Sequence, residues 1–102
     1  MASSSPGGKR HPDVQERPVT IINKLGLHAR AAARFVTAAS SFSSSIDIEK
    51  NGQKVNGKSI MGVMMLAASR GTELIIITSG ADEVAAADSL ESLIADRFGE
   101  QE

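Results

Sequence analysis

The sequence holds two histidines and no cysteine, tyrosine or tryptophan, so few of its side chains can act as a nucleophile near neutral pH. One of them, His28, lies in Lys24-Leu25-Gly26-Leu27-His28-Ala29-Arg30-Ala31-Ala32-Ala33-Arg34-Phe35-Val36, at the predicted first turn of a helix. A helix N-terminus presents unpaired backbone N–H groups and partial positive charge. An imidazole held there is biased toward its neutral, nucleophilic form, and an anion placed on it is stabilised. Gly26 permits a close turn, the N–H groups of Ala29 and Arg30 are potential phosphate donors, and the Arg30 side chain brings a cation within reach of a phosphoryl group. This is the environment of a phosphate acceptor. A lone histidine is more often structural, so position alone does not decide its role. The second histidine, His11, stands between Arg10 and Pro12 in a polar segment and is expected to be solvated and without a chemical role. No second histidine and no carboxylate flanks His28 in the sequence, so no metal site and no cofactor are expected.

A second group of residues surrounds Ser59. Gly52-Gln53-Lys54-Val55-Asn56-Gly57-Lys58-Ser59 matches the G-x-x-x-x-G-K-[ST] phosphate loop. Its context argues against nucleotide binding. Such a loop follows a buried parallel strand and forms one uninterrupted cradle, whereas Asn51-Gly52 is a hairpin signal and the residues after it read as a strand. The later apolar run, Leu74 to Ile77, also ends in Thr78-Ser79 where an aspartate would organise magnesium. Ser59 is instead a natural N-cap, worth about 1 kcal/mol. In the helix it opens, Val63, Leu66 and Ala67 share a face that can be core. That leaves Ile60, Met61 and Met64 as apolar side chains for a solvent-facing docking patch, to which methionine's adaptable side chain is suited.

The elements that must position these groups follow from periodicity. Residues 1–17 are rich in Ser, Gly, Pro and charge and are expected to form a disordered tail; residues 18–102 form the domain. Val19 to Asn23 has strand composition. From Ala29 to about Ser41, Ala32, Phe35, Val36 and Ala39 fall on one helical face, with Arg30, Arg34 and Thr37 largely opposite. Ile46 to Lys50 alternates, turns at Asn51-Gly52 and returns through a short polar edge strand, Gln53 to Asn56. The Ser59 helix should end before Gly71. Thr72 to Thr78 reads as a central strand, and a last helix from Asp82-Glu83 presents Ala86, Leu90, Leu93, Ile94 and Phe98 until Gly99. Glu100 to Glu102 are expected to fray. The order βαββαβα, with amphipathic helices and one sheet, predicts an α+β domain whose sheet is covered by helices on one side.

Bulk properties exclude several other functions. At 102 residues there is no room for a two-domain catalytic cleft. Eleven basic and twelve acidic residues are interspersed, and the only aromatics are three phenylalanines, which leaves no basic patch or stacking platform for nucleic acid. No segment reads as a secretory signal or a membrane span, so a cytoplasmic protein without membrane insertion is expected.

Taken together, Gly26-Leu27-His28-Ala29-Arg30 and Asn56-Gly57-Lys58-Ser59-Ile60-Met61-Gly62-Val63-Met64 resemble the active-site motif and the regulatory-serine segment of the histidine-containing phosphocarrier (HPr) family of the bacterial phosphoenolpyruvate-dependent sugar phosphotransferase system, over roughly Val19 to Glu100. The resemblance implies an open-faced β-sandwich, a four-stranded antiparallel sheet with three helices packed on one face. It implies a phosphoryl carrier, a phosphoprotein rather than an enzyme. His28 would accept phosphate on Nδ1 from enzyme I and pass it to enzyme IIA domains, assisted by Arg30 and the backbone of Ala29 and Arg30. Ser59 would be phosphorylated by HPr kinase/phosphorylase, and Leu27, Ile60, Met61 and Met64 would meet partners. A monomer is expected. The alternative is a paralogous carrier in nitrogen or carbon regulation, gating effector proteins. Many family members have proline after the motif arginine; here Ala31, a good helix former, predicts slightly looser histidine geometry with function retained.

Overall fold

Among the described residues, four strands and three helices follow one another as β1 (Val14–Thr20), α1 (Ala29–Ser40), β2 (Ser45–Lys50), β3 (Gln53–Asn56), α2 (Ile60–Met65), β4 (Glu73–Ser79) and α3 (Glu83–Ala95), with a 3-10 turn at Arg97–Gly99. The structure, a computed structural model, describes residues 14–102. His11 and most of the expected tail therefore lie outside the described residues. All strand pairs are antiparallel, in the order β1-β4-β2-β3. The apolar β4 run is thus central, and the polar Gln53–Asn56 strand lies at an edge, as their compositions predict.

Alternation along the strands sends Val19, Leu74, Ile76, Thr78, Ile46 and Ile48 to the buried side. There they meet Ala31, Ala32, Phe35 and Ala39 of α1, Val63 and Leu66 around α2, and Ala86, Leu90 and Ile94 of α3. The opposite side of the sheet carries the half-exposed Ile75 and Ile77. This is the open-faced α+β sandwich. Gln53–Asn56 pairs in extended register with β2, and the chain turns at Asn51 and Gly52 with φ of 50° and 84°. The phosphate-loop pattern is therefore pulled straight into a hairpin.

Several boundaries differ from the sequence reading, each for a physical reason. The first strand begins at Val14, so Val14 to Arg17 belong to the sheet and not to a tail. Gln15 and Arg17 lie in the inner row beside Thr78 and Ile76, at the sheet edge. Arg17 satisfies its charge on Asp88 (2.7 Å) and Glu91 (3.0 Å) of α3, which hides the strand's apolar alternation. Pro18 is tolerated because β1 is an edge strand. The strand closes at Thr20, three residues early, yet Ile21 still bonds the Gly71-Thr72 backbone through both its N–H and its C=O. α2 ends at Met65, where Lys50 Nζ donates to the Leu66 carbonyl (2.8 Å) and Ala67 turns left-handed at φ 50°. Ala67 is therefore exposed, and Ala68 takes the buried place expected of it. α3 stops at Ala95, and Phe98 reaches the core from the separate turn.

Candidate functional site

His28 is the N-cap of α1, with extended backbone at φ −74° and ψ 179°. Its carbonyl accepts the first helical bond from Ala32 N (2.8 Å), and its Nδ1 accepts from Arg30 N at 3.3 Å. The approach to this cap is fixed by two neighbours. Gly26 has φ 70°, and a β-carbon there would lie 2.6 Å from the Ala68 carbonyl, so only glycine lets the loop pass so close to the segment after α2. Leu27 then donates its N–H to that same carbonyl (2.8 Å) and buries its side chain, 6% exposed, in the core. The expectation that Leu27 meets partners is corrected by this. It lies on the inward side of the loop and anchors His28 from beneath.

The other ring nitrogen meets a residue that sequence reasoning left at a frayed end. Glu100 Oε2 lies 2.5 Å from His28 Nε2, with the two side chains 15% and 28% exposed respectively. The C-terminal residues are not free. Glu100 Oε1 accepts from Asn23 Nδ2 (2.9 Å), the Glu102 carbonyl accepts from Lys24 N (2.6 Å), and Lys24 Nζ pairs with the Glu102 carboxylate (3.2 Å). Asn23 is fully buried and gives its other amide hydrogen to the Gly26 carbonyl (2.9 Å), so one side chain ties together the histidine loop and the carboxylate. Burial alone would raise the Glu100 carboxyl, but the bonds from Asn23 and His28 and the charge of His28 and Arg34 outweigh it and hold it below its ordinary value.

A carboxylate can only accept, so the contact at Nε2 places a proton on that nitrogen, and the N–H of Arg30 selects a lone pair on Nδ1. Both contacts favour one tautomer, with the proton on Nε2 and the lone pair on Nδ1. The exposed groove beside the ring is lined by charges of both signs, Lys24, Arg30 and Arg34 with Glu100 and Glu102. Lys24 is paired with Glu102 and Arg34 with the Phe98 carbonyl, which leaves Arg30 as the cation next to the ring in sequence. Among the described residues no group of three or more His, Cys, Asp or Glu could hold a metal ion.

Ser59 caps α2: its Oγ accepts from Gly62 N (3.1 Å), and its carbonyl accepts from Val63 N (2.9 Å). Ile60, Met61 and Met64 are exposed, and so is Met65, at 68%, which the helical spacing had not singled out. Ala31, the departure from the family pattern, is fully buried. No signal at short sequence separation pointed to Glu100, Asn23 or Arg34, because the contact between Glu100 and His28 spans 72 positions.

An open-faced sandwich with a part-exposed histidine capping its first helix, Nδ1 turned to the helix N–H groups and Nε2 to a carboxylate, is the class of small α+β domain that the fold and site define. A family model described as "PTS HPr component phosphorylation site" matches residues 15–96. The phosphocarrier protein HPr of Cupriavidus necator is 54% identical over 87 residues, 85% of this chain and 98% of that protein. That of Neisseria meningitidis is 53% identical, with the same coverage. The crystal structure of HPr from Thermoanaerobacter tengcongensis superposes with a TM-score of 0.81 at 48% identity, covering 86% of this chain and 99% of that one. The chain belongs to the HPr family of phosphocarriers of the phosphotransferase system. A second structure of the T. tengcongensis HPr, 51% identical, covering 80% of this chain and 94% of that one with a TM-score of 0.69, is of a dimer of that protein. No helix among the described residues is long and apolar enough to cross a membrane.

Proposed function

We propose that this chain carries phosphoryl groups on Nδ1 of His28, taking them from phosphorylated enzyme I and giving them to enzyme IIA domains in the cytoplasm. The observation that carries the reading is the opposite treatment of the two ring nitrogens: a carboxylate at Nε2 and a long amide contact at Nδ1. As the Nδ1 lone pair forms its bond to phosphorus, the bond between phosphorus and the donor breaks. The Nε2 proton stays in place, and the ring becomes cationic against the Glu100 carboxylate. At 3.3 Å the Arg30 N–H contact is long, so that donor can move to a phosphoryl oxygen at little cost, joined by the Arg30 side chain and the Ala29 N–H.

Ser59 is proposed as the regulatory position, a substrate for HPr kinase/phosphorylase. A phosphate on a helix cap is structurally tolerable while it adds negative charge beside Ile60, Met61 and Met64, the proposed partner surface. The test of the carrier is phosphate transfer from phosphoenolpyruvate through enzyme I. Wild type should take label as an acid-labile, base-stable phosphohistidine, and His28→Ala should fold and take none. Undiminished labelling of that variant would sink the assignment. Whether the acceptor is a transport or a regulatory protein does not alter this chemistry, and offering the labelled carrier to each class separates the two.

A further inference from the structure

Glu100 can reach His28 only if the chain reverses after α3, and the reversal is made from residues poorly suited to it. Arg97 and Phe98 both have φ 56° and Gly99 has φ 79°, three left-handed residues in succession, two of which carry a β-carbon. The internal bonds Gly99 N to Asp96 O and Glu100 N to Arg97 O close the turn (both 2.9 Å), and the buried Phe98 ring fixes its inner side. Its outer side is held by Arg34. That side chain leaves the exposed flank of α1, the helix that His28 caps, and donates from Nη1 to the Phe98 carbonyl. The guanidinium lies directly over Gly99, where a β-carbon would come within 2.8 Å of Nη1. One helix thus carries the histidine at its start and, further along, the group that grips the turn delivering the carboxylate.

We propose that Arg34 is a positioning residue for His28: by holding the Arg97–Gly99 turn through the Phe98 carbonyl, it keeps Glu100 on Nε2 and so fixes the tautomer that leaves Nδ1 nucleophilic. This rests on the phosphocarrier reading of His28. Arg34 does not touch the ring and acts through Glu100, with Asn23 as the second tie on the same carboxylate.

The test uses the full chain labelled with 15N. Long-range proton–nitrogen spectra in the alkaline range, where imidazole is neutral, report which nitrogen of His28 is protonated; the His28→Ala spectrum identifies its signals against those of His11. Wild type should be dominated by the Nε2–H form. Arg34→Ala should move His28 toward a mixture of both tautomers and slow phosphoryl uptake from enzyme I by about tenfold, while Arg34→Lys, still able to donate to a carbonyl, should retain most of both. In a Glu100→Ala background, Arg34→Ala should have no further effect on either readout. An unchanged tautomer in Arg34→Ala overturns the proposal. So does an equal rate loss with and without Glu100, which would make Arg34 an independent anion-attracting cation. The spectra judge Arg34 whether or not the chain takes label, so failure of the carrier reading is seen separately, in the labelling of wild type.

Discussion

On the proposed reading, His28 illustrates how a phosphoryl carrier differs from a phosphate-binding site. Its Nδ1 is held by one long hydrogen bond, while Nε2 is held by a short contact to a carboxylate. Stabilisation is therefore directed at the ring and leaves the bound phosphoryl group easy to release, as a carrier requires. The negative charge of Glu100 should matter more than its shape. Glu100→Gln keeps the side-chain length and the Asn23 contact but removes the counter-charge to the imidazolium formed on attack. A hydrogen bond to a charged group contributes about 1.5–3 kcal/mol, so uptake of phosphate should slow by about ten- to a hundredfold in single-turnover measurements, with the melting temperature nearly unchanged. A wild-type rate in that variant would show that the carboxylate has no part in transfer.

At the scale of elements, the helix termini carry most of the specific polar chemistry. Asp82, placed by its position in the sequence at the start of the last helix, makes no side-chain bond to that helix. It reaches across to the serine run after α1, accepting from the Ser44 hydroxyl, from Ser43 N and Ser44 N (both 2.9 Å) and from the Ser43 hydroxyl (3.3 Å). The Ser44 hydroxyl contributes most to lowering its carboxyl from 3.8 to about 2, followed by Ser43 N, against the opposing effect of desolvation. A carboxylate depressed in the folded state contributes stability that is complete above its unfolded value and is lost as pH falls through the folded one. Wild type should therefore lose stability between pH 3.8 and about 2. Asp82→Asn should be less stable at neutral pH and should lose less across that window. Denaturant melts at a series of pH values check this, and parallel curves for the two proteins would contradict it.

Across the whole molecule, the exposed side chains of α2 form an apolar area that the core does not use. Met61 is 77% exposed, and Ile60, Met64 and Met65 are exposed beside it. Surface substitutions change stability little, whereas an anchor in a transient interface carries much of its affinity. Met61→Asp, and Ser59→Asp as a mimic of phosphoserine, should each weaken binding of enzyme I by about tenfold while melting within a few degrees of wild type. Unchanged affinity in both would remove α2 from the partner surface, and a collapsed fold would return Met61 to the core.

The sequence by itself determined what depends on near neighbours. The spacing of Phe35 and Ala39, the Asn51-Gly52 hairpin, the apolar run of β4 and the Ser59 cap are all local patterns, and they were enough for the element order and the one-sided sheet. The exposure of Met61 followed in the same way, from too many apolar residues on a short helix. Tertiary structure decided what depends on chain crossings. Arg17 reads as tail until the α3 carboxylates answer its charge, and Leu27 reads as surface until the loop turns it inward. Glu100 reads as a frayed end until Asn23 and His28 hold its carboxylate, with Arg34 on Phe98 and Lys24 on Glu102 fixing the chain to either side. Polar partners far apart in sequence leave no periodic trace, because a hydrogen bond constrains distance in space and not separation along the chain. For that reason a histidine at a helix start was legible in the sequence, while the carboxylate on its Nε2 became evident only in the fold.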